Sequence, residues 1–191
     1  MPSEHNERLL EAAAVLLQEA GGSLPITSLN KALFYLDLEV LLHKGETLTQ
    51  VTYLALPAGP VVAKYTTKLV AALDDAGLAE QDDRGDGSKP VYLTGEPPQR
   101  FVVGPVRAVA SRIATWAKRK PASALSRFSH LNEGWKIAFT GGLGARKPAQ
   151  KINMRIAMQQ LIDRDPWLDE KPRGEVAEAF EAADAEAGVE W

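Results

Sequence analysis

The chain has 191 residues, 45% of them hydrophobic, a formal net charge of -3 and no cysteine. Its length supports one buried core and is short for two, and the lack of thiols excludes disulfides, cysteine nucleophiles and thiolate-bound zinc or iron–sulfur centres. No apolar run reaches the roughly 18–20 residues a membrane span needs, and no N-terminal segment has the make-up of a secretion signal, so a cytoplasmic protein without membrane contact is expected.

Apolar residues at Leu9, Leu10, Ala13, Ala14, Leu16, Leu17 and Ala20 predict an amphipathic helix over residues 3–20, with Ser3 as cap and Gly21-Gly22 as stop. A second helix runs from about Thr27 to Gly45. It is apolar almost all round, which places it centrally. TQVTYLAL (49–56) is rich in β-branched and aromatic residues and reads as extended. After it, VVAKYTTKLVAALDDAG predicts a third helix, with Pro60 in its first turn and Gly77 closing it. LAEQ and PVYLT flank DDRGDGSK as a hairpin with a polar tip. GPVRAVASRIATWAKRK is a helix with Pro105 early and basic residues late, ended by Pro121. SALSRFSHLNEGWKIAF supplies one or two short helices, GGLGARKP a turn, and AQKINMRIAMQQLID a last helix. The expected fold is mainly α: a compact single-domain helical fold with a small β-hairpin or short sheet. Its parts are a domain over 1–145, an additional basic helix over 146–164 and an acidic C-terminal tail over 165–191.

Charge divides the second half of the chain. Gly104 to Arg164 carries twelve Lys or Arg against Glu133 and Asp163, whereas Asp165 to Trp191 carries nine acids against Lys171 and Arg173. The basic 104–164 stretch could meet nucleic acid, or the tail could fold over it.

Three motifs that suggest chemistry fail on spacing. GGLGARKP has Pro148 where a P-loop needs the hydroxyl that holds magnesium. DDRGDGS, read from Asp82 as a calcium loop, has Arg84 and Leu93 where ligands belong. His5, His43 and His130 are far apart and no G-x-S-x-G occurs, so no metal, cofactor or catalytic constellation is expected. In RFSHLNEGWKIAF (127–139), Leu131 and Trp135 would share a helix face, His130 could reach Glu133 or a backbone group, and Phe128, Trp135 and Phe139 read as core aromatics.

Three segments in order, LNKALFYLDLEVLLHKGETLT, TYLALPAGPVVAKYTTKL and ALSRFSHLNEGWKIA, resemble the Panacea domain of the SocA-like antitoxin family and its phage-associated relatives. The family pattern runs L-x-K-L-L-Y-x-A-D, then Y-x-A-x-x-x-G-P, then Ser-His and Ala-Trp-Lys. Matching positions are Lys31, Tyr35, Asp37, Tyr53, Gly59, Pro60, Ser129, His130, Trp135 and Lys136. The family usually carries acids directly after the His and Pro-Ala before the Trp, where this chain reads LNEG. The resemblance implies a non-enzymatic antitoxin that binds a cognate protein toxin, with these motif residues structural. It also implies, as an alternative, an adaptor delivering the toxin to a bacterial protease; a DNA-binding autoregulator is a further alternative from the basic stretch. In the tail, Val176, Phe180 and Ala183 line one helical face amid acids, and with Trp167 and Trp191 they are candidate toxin contacts.

Overall fold

The computed structural model describes residues 4–82, 89–141 and 150–163 together with Phe180. In chain order the elements are α1 (Glu4–Glu19), β1 (Ser23–Pro25), α2 (Ile26–Lys44), β2 (Tyr53–Leu56), β3 (Gly59–Val62), a π-helical turn (Thr66–Ala71), α3 (Ala72–Asp75), β4 (Ala79–Gln81) and β5 (Pro90–Leu93). They continue with α4 (Gly104–Arg119), α5 (Ala122–Ser129), α6 (Glu133–Thr140), β6 (Gln150–Lys151) and α7 (Met154–Asp163). No helix among the described residues is long and apolar enough to cross a membrane. The fold is mainly helical with two small antiparallel sheets, in the orders β1-β5-β4 and β3-β2-β6.

Everything packs around α2. Every residue from Ser28 to Leu41 is buried, because the helix has no polar face and is covered by α1, α4, α5, α7 and β3. Leu29, Leu33, Phe34, Leu36 and Leu38 are each fully enclosed, and each such side chain stabilises the fold by about 1.5–3 kcal/mol relative to exposure. The helix ends at Gly45, whose φ of +74° suits glycine and whose N–H donates to Leu41 O at 3.0 Å. His43 and Lys44 sit in the last turn, where cations favour the helix dipole.

The largest departure from the sequence reading lies at residues 59–62. These form β3, not the start of a helix at Pro60. β3 pairs with β2 through a two-residue turn at Pro57 and Ala58, in the register Tyr53↔Val62 to Leu56↔Gly59. The β-branched Val61 and Val62 fit a strand, and Pro60 is tolerated because β3 is an edge of its sheet. The helix begins only at Thr66. Just before it Lys64 has φ +57°, and ahead of β2 Gln50 has φ +56°. A left-handed conformation costs a non-glycine residue about 1–2 kcal/mol.

Other differences are smaller. The predicted hairpin is β4 and β5, but β1 joins it as a third strand. The last helix starts at Met154, since Gln150 and Lys151 pair with β2 instead. The predicted turn at GGLGARKP beyond Gly141 and the tip of the hairpin lie outside the described residues. α7 contributes Ala157 and Leu161 to the same core as α2.

One irregular segment is fixed by a single carboxylate. Glu11 on α1 is 1% exposed, and its Oε1 accepts the backbone N–H groups of Arg100, Phe101 and Val102 at 2.9, 2.6 and 2.7 Å. The Phe101 ring is flanked by the guanidinium groups of Arg8 and Arg100, each 4.6 Å from its centroid. Glu11→Ala leaves three donors without their acceptor and is expected to destabilise the protein by about 2–4 kcal/mol. Urea denaturation checks this; a midpoint equal to wild type would show the segment is held by other contacts.

Candidate functional site

The motif residues, scattered over more than a hundred positions, meet at two places along α2. The first is the turn between β2 and β3. Two carbonyls there each receive a hydrogen bond from the α5–α6 region. Trp135 Nε1 donates to Leu56 O at 3.2 Å, and Ser126 Oγ donates to Ala58 O at 2.9 Å. His130 lies flat on Trp135 with centroids 4.1 Å apart, and Trp135 stacks on Phe139 at 4.5 Å.

Gly59 closes this site from the strand side. Its φ is +115°, and a Cβ there would fall 2.6 Å from Ser129 Oγ and 2.9 Å from Lys31 Cε. Lys31 is 1% exposed and its Nζ donates to Thr27 O at 3.1 Å. Burial lowers its pKa to about 8. The His130 pKa is lowered too, by burial first and then by the Lys31 charge, with the nearby Pro57 carbonyl working the other way. Ser129 Oγ donates to Ser126 O at 2.9 Å. The Lys and Ser that a catalytic reading would recruit thus direct donors to backbone carbonyls.

The second place is Asp37, fully buried one turn and a half further along α2. Its carboxylate accepts from Thr49 N–H and Tyr53 OH, each at 2.8 Å, and from the Thr49 hydroxyl. These bonds fasten the start of the β2 strand to the helix. Burial raises the Asp37 pKa to about 6, opposed by those same bonds. The Tyr53 hydroxyl is pushed well above its usual range, first by burial and then by the Asp37 charge. Tyr35, also on α2, donates to Gln160 Oε1 at 3.1 Å, and its ring meets Trp116 edge-on at 5.4 Å.

Sequence reasoning missed several members of this network. Asn132 caps α6 by accepting from Trp135 N–H at 3.1 Å, and it donates to Ala157 O and Gln160 Oε1, each at 2.8 Å. Asn30 bridges α2 and β3 by accepting from Val62 N–H at 2.9 Å. The cap interrupts the helix before residue 133, so Leu131 does not share a face with Trp135. Leu131 is 50% exposed whereas Trp135 is buried. Glu133 pairs with Lys136 at 3.3 Å and not with His130. Lys136 therefore stands apart from the other motif residues, and Pro60 is buried within β3.

Of the tail candidates, Trp167, Val176, Ala183 and Trp191 lie outside the described residues. Phe180 is 2% exposed. It stacks on His43 at 4.7 Å with Lys44 Nζ 5.6 Å from its centroid, so this ring is taken up by the end of α2 and not by the basic stretch. Within that stretch Arg107 pairs with Glu19 at 2.9 Å and Lys118 donates to Ser23 O. Among the described residues no three His, Cys, Asp or Glu side chains cluster as a metal site would require.

A family model described as "Antitoxin SocA-like, Panacea domain" matches residues 29–136, more than half of the chain. Comparison with curated proteins and with solved structures gave no match. The matched segment opens on α2 and closes in α6, and it contains all ten motif residues.

Two outcomes are expected. Gly59→Ala forces a left-handed alanine against Ser129 and Lys31 and should destabilise by about 2–4 kcal/mol, read as a lower Tm; an unchanged Tm would mean the turn can move off α5. A carboxyl group whose pKa is raised on folding stabilises most when protonated, so its contribution falls as pH rises from about 4 to about 6. Asp37→Asn, whose amide oxygen still accepts from Thr49, should lose that part of the pH dependence. Parallel Tm-against-pH curves for the two proteins would refute it.

Proposed function

We infer that this chain, which belongs to the antitoxin SocA-like, Panacea domain family, acts as the antitoxin of a toxin–antitoxin pair and neutralises a protein toxin by direct binding. One observation carries the reading beyond the family name: the motif side chains, Lys136 apart, are spent inside the fold. Lys31 and Ser129 direct donors to carbonyls, the His130 ring stacks on Trp135, and Asp37 holds Thr49 and Tyr53. A family signature used up in packing leaves recognition to surfaces outside the signature, which suits proteins of one fold that bind different partners. It also favours a protein without catalytic activity, because a general base must reach a substrate proton and the charge facing His130 is the cation of Lys31.

Binding tight enough to silence a toxin at nanomolar concentration requires about -12 kcal/mol and commonly an interface near 1,600 Å² in total. The acidic tail is the proposed contact segment, with Trp167 and Trp191 as anchors and Phe180 as its attachment to α2. An acidic amphipathic segment suits a toxin groove that normally takes a polyanion.

Co-expression with each adjacent open reading frame tests the proposal. One neighbour is expected to arrest growth alone, to be rescued by this protein and to co-purify with it; combined Trp167→Ala and Trp191→Ala should weaken that complex at unchanged Tm. Rescue that needs a host protease and yields no stable complex would favour the adaptor reading. If no neighbour is toxic or bound, the antitoxin proposal fails and salt-dependent promoter binding becomes the next test.

A further inference from the structure

At the end of the β2–β3 sheet opposite the clamped turn, α1 and the start of the π-helical turn enclose a cleft of about 460 Å³. That volume is in the range of small-molecule sites. Its walls include Lys64, Lys68 and His5, with Asn6, Gln50 and Thr52 as polar neighbours and Leu9 as part of the floor; among the described residues no carboxylate lines it. This is unexpected in a chain with a net charge of -3. Lys64 and Lys68 are both exposed, and neither takes part in an ion pair among the described residues.

Backbone geometry singles out the same place. The two non-glycine residues with left-handed φ among those described, Gln50 and Lys64, both line this cleft. Lys68 belongs to the π-helical turn Thr66–Ala71, a rare conformation that is frequent at functional sites. Strain of this kind persists where surrounding structure fixes a side chain in a required direction. Thr67 and Lys68 N–H both bond Lys64 O, at 3.1 and 2.8 Å, which locks the left-handed residue beside the turn.

We propose that this cleft binds a phosphorylated small molecule of about nucleotide size, independently of the toxin. Lysine ammonium groups serve as compact point charges for phosphate oxygens, His5 adds a ring N–H donor, and the amides of Asn6 and Gln50 can hydrogen-bond the uncharged part of the ligand. A recessed cleft of this volume fits a small ligand better than a broad protein face. The proposal goes beyond the toxin-binding reading and is tested without a toxin.

The probe is ATP, titrated calorimetrically into the full chain at 150 mM salt, with inorganic pyrophosphate as competitor. Saturable one-site binding displaced by pyrophosphate is expected, and Lys64→Gln or Lys68→Gln should each weaken it at least tenfold. Lys64→Gly keeps the left-handed backbone without the charge; it should bind as weakly as Lys64→Gln while its Tm stays within about 2 °C of wild type. Absence of ATP binding at millimolar concentration would overturn the proposal, as would binding that these substitutions leave unchanged. Loss of toxin binding in both Gln variants, with no ATP bound by wild type, would also overturn it and assign the lysines to an acidic segment of the toxin.

Discussion

The turn from Leu56 to Ala58 is held against the helices by two bonds, from Trp135 Nε1 to Leu56 O and from Ser126 Oγ to Ala58 O. Pro57 and Ala58 themselves are exposed, so these bonds fix where the turn lies and do not serve to satisfy buried backbone. Holding it in place fixes β3 over α2, and that in turn requires a residue without Cβ at Gly59. The hairpin, α5, α6 and the first half of α2 therefore depend on one another. This interdependence explains why residues as far apart as Lys31 and Trp135 can belong to one signature.

What the sequence made legible follows from the range of the forces involved. α1, α2 and α4 are long enough for apolar spacing to report burial, and their boundaries fall within a residue or two of expectation. β3 was hidden because Pro60 followed by an apolar run is compatible with a helix start; pairing with Tyr53 and Leu54 decides otherwise, and pairing is not local. β1 and β6 have three and two residues and carry no period of their own. The motif residues could be picked out by resemblance, yet not their partners. Glu11, Asn30, Ser126 and Asn132 are single polar residues whose meaning lies in backbone groups many positions away.

Two ionisable side chains share the buried helix, and burial acts on them in opposite directions. The Lys31 pKa falls to about 8 and the Asp37 pKa rises to about 6, so between those values both are charged and both are held at their greatest cost. Apolar burial along α2 is large enough to carry them. A leucine in either position would fill space without directing anything. Asp37 instead selects the one arrangement that offers it Thr49 and Tyr53 together, which ties the loop after α2 and the first strand of the hairpin to a single register. Buried polar groups of this sort select a unique packing more than they add stability.

The departure from the family pattern at LNEG has its counterpart in a helix beyond the matched segment. A Cβ at Gly134 would lie 2.8 Å from both the backbone N and the Cβ of Ala157, so the alanine of the family pattern could not stand there without displacing α7. Gly134 thus lets α7 approach α6 at backbone distance. That approach delivers Gln160, whose side chain accepts from Tyr35 and Asn132 and donates to Phe128 O at 3.1 Å. The network around two motif residues, Tyr35 and the capped start of Trp135's helix, is consequently completed from outside residues 29–136. With Phe180 also seated on the end of α2, both α7 and this ring pack on the same helix that carries the signature. A residue outside the matched segment, Gln160, is therefore as much a part of the packing around Tyr35 as the motif residues themselves.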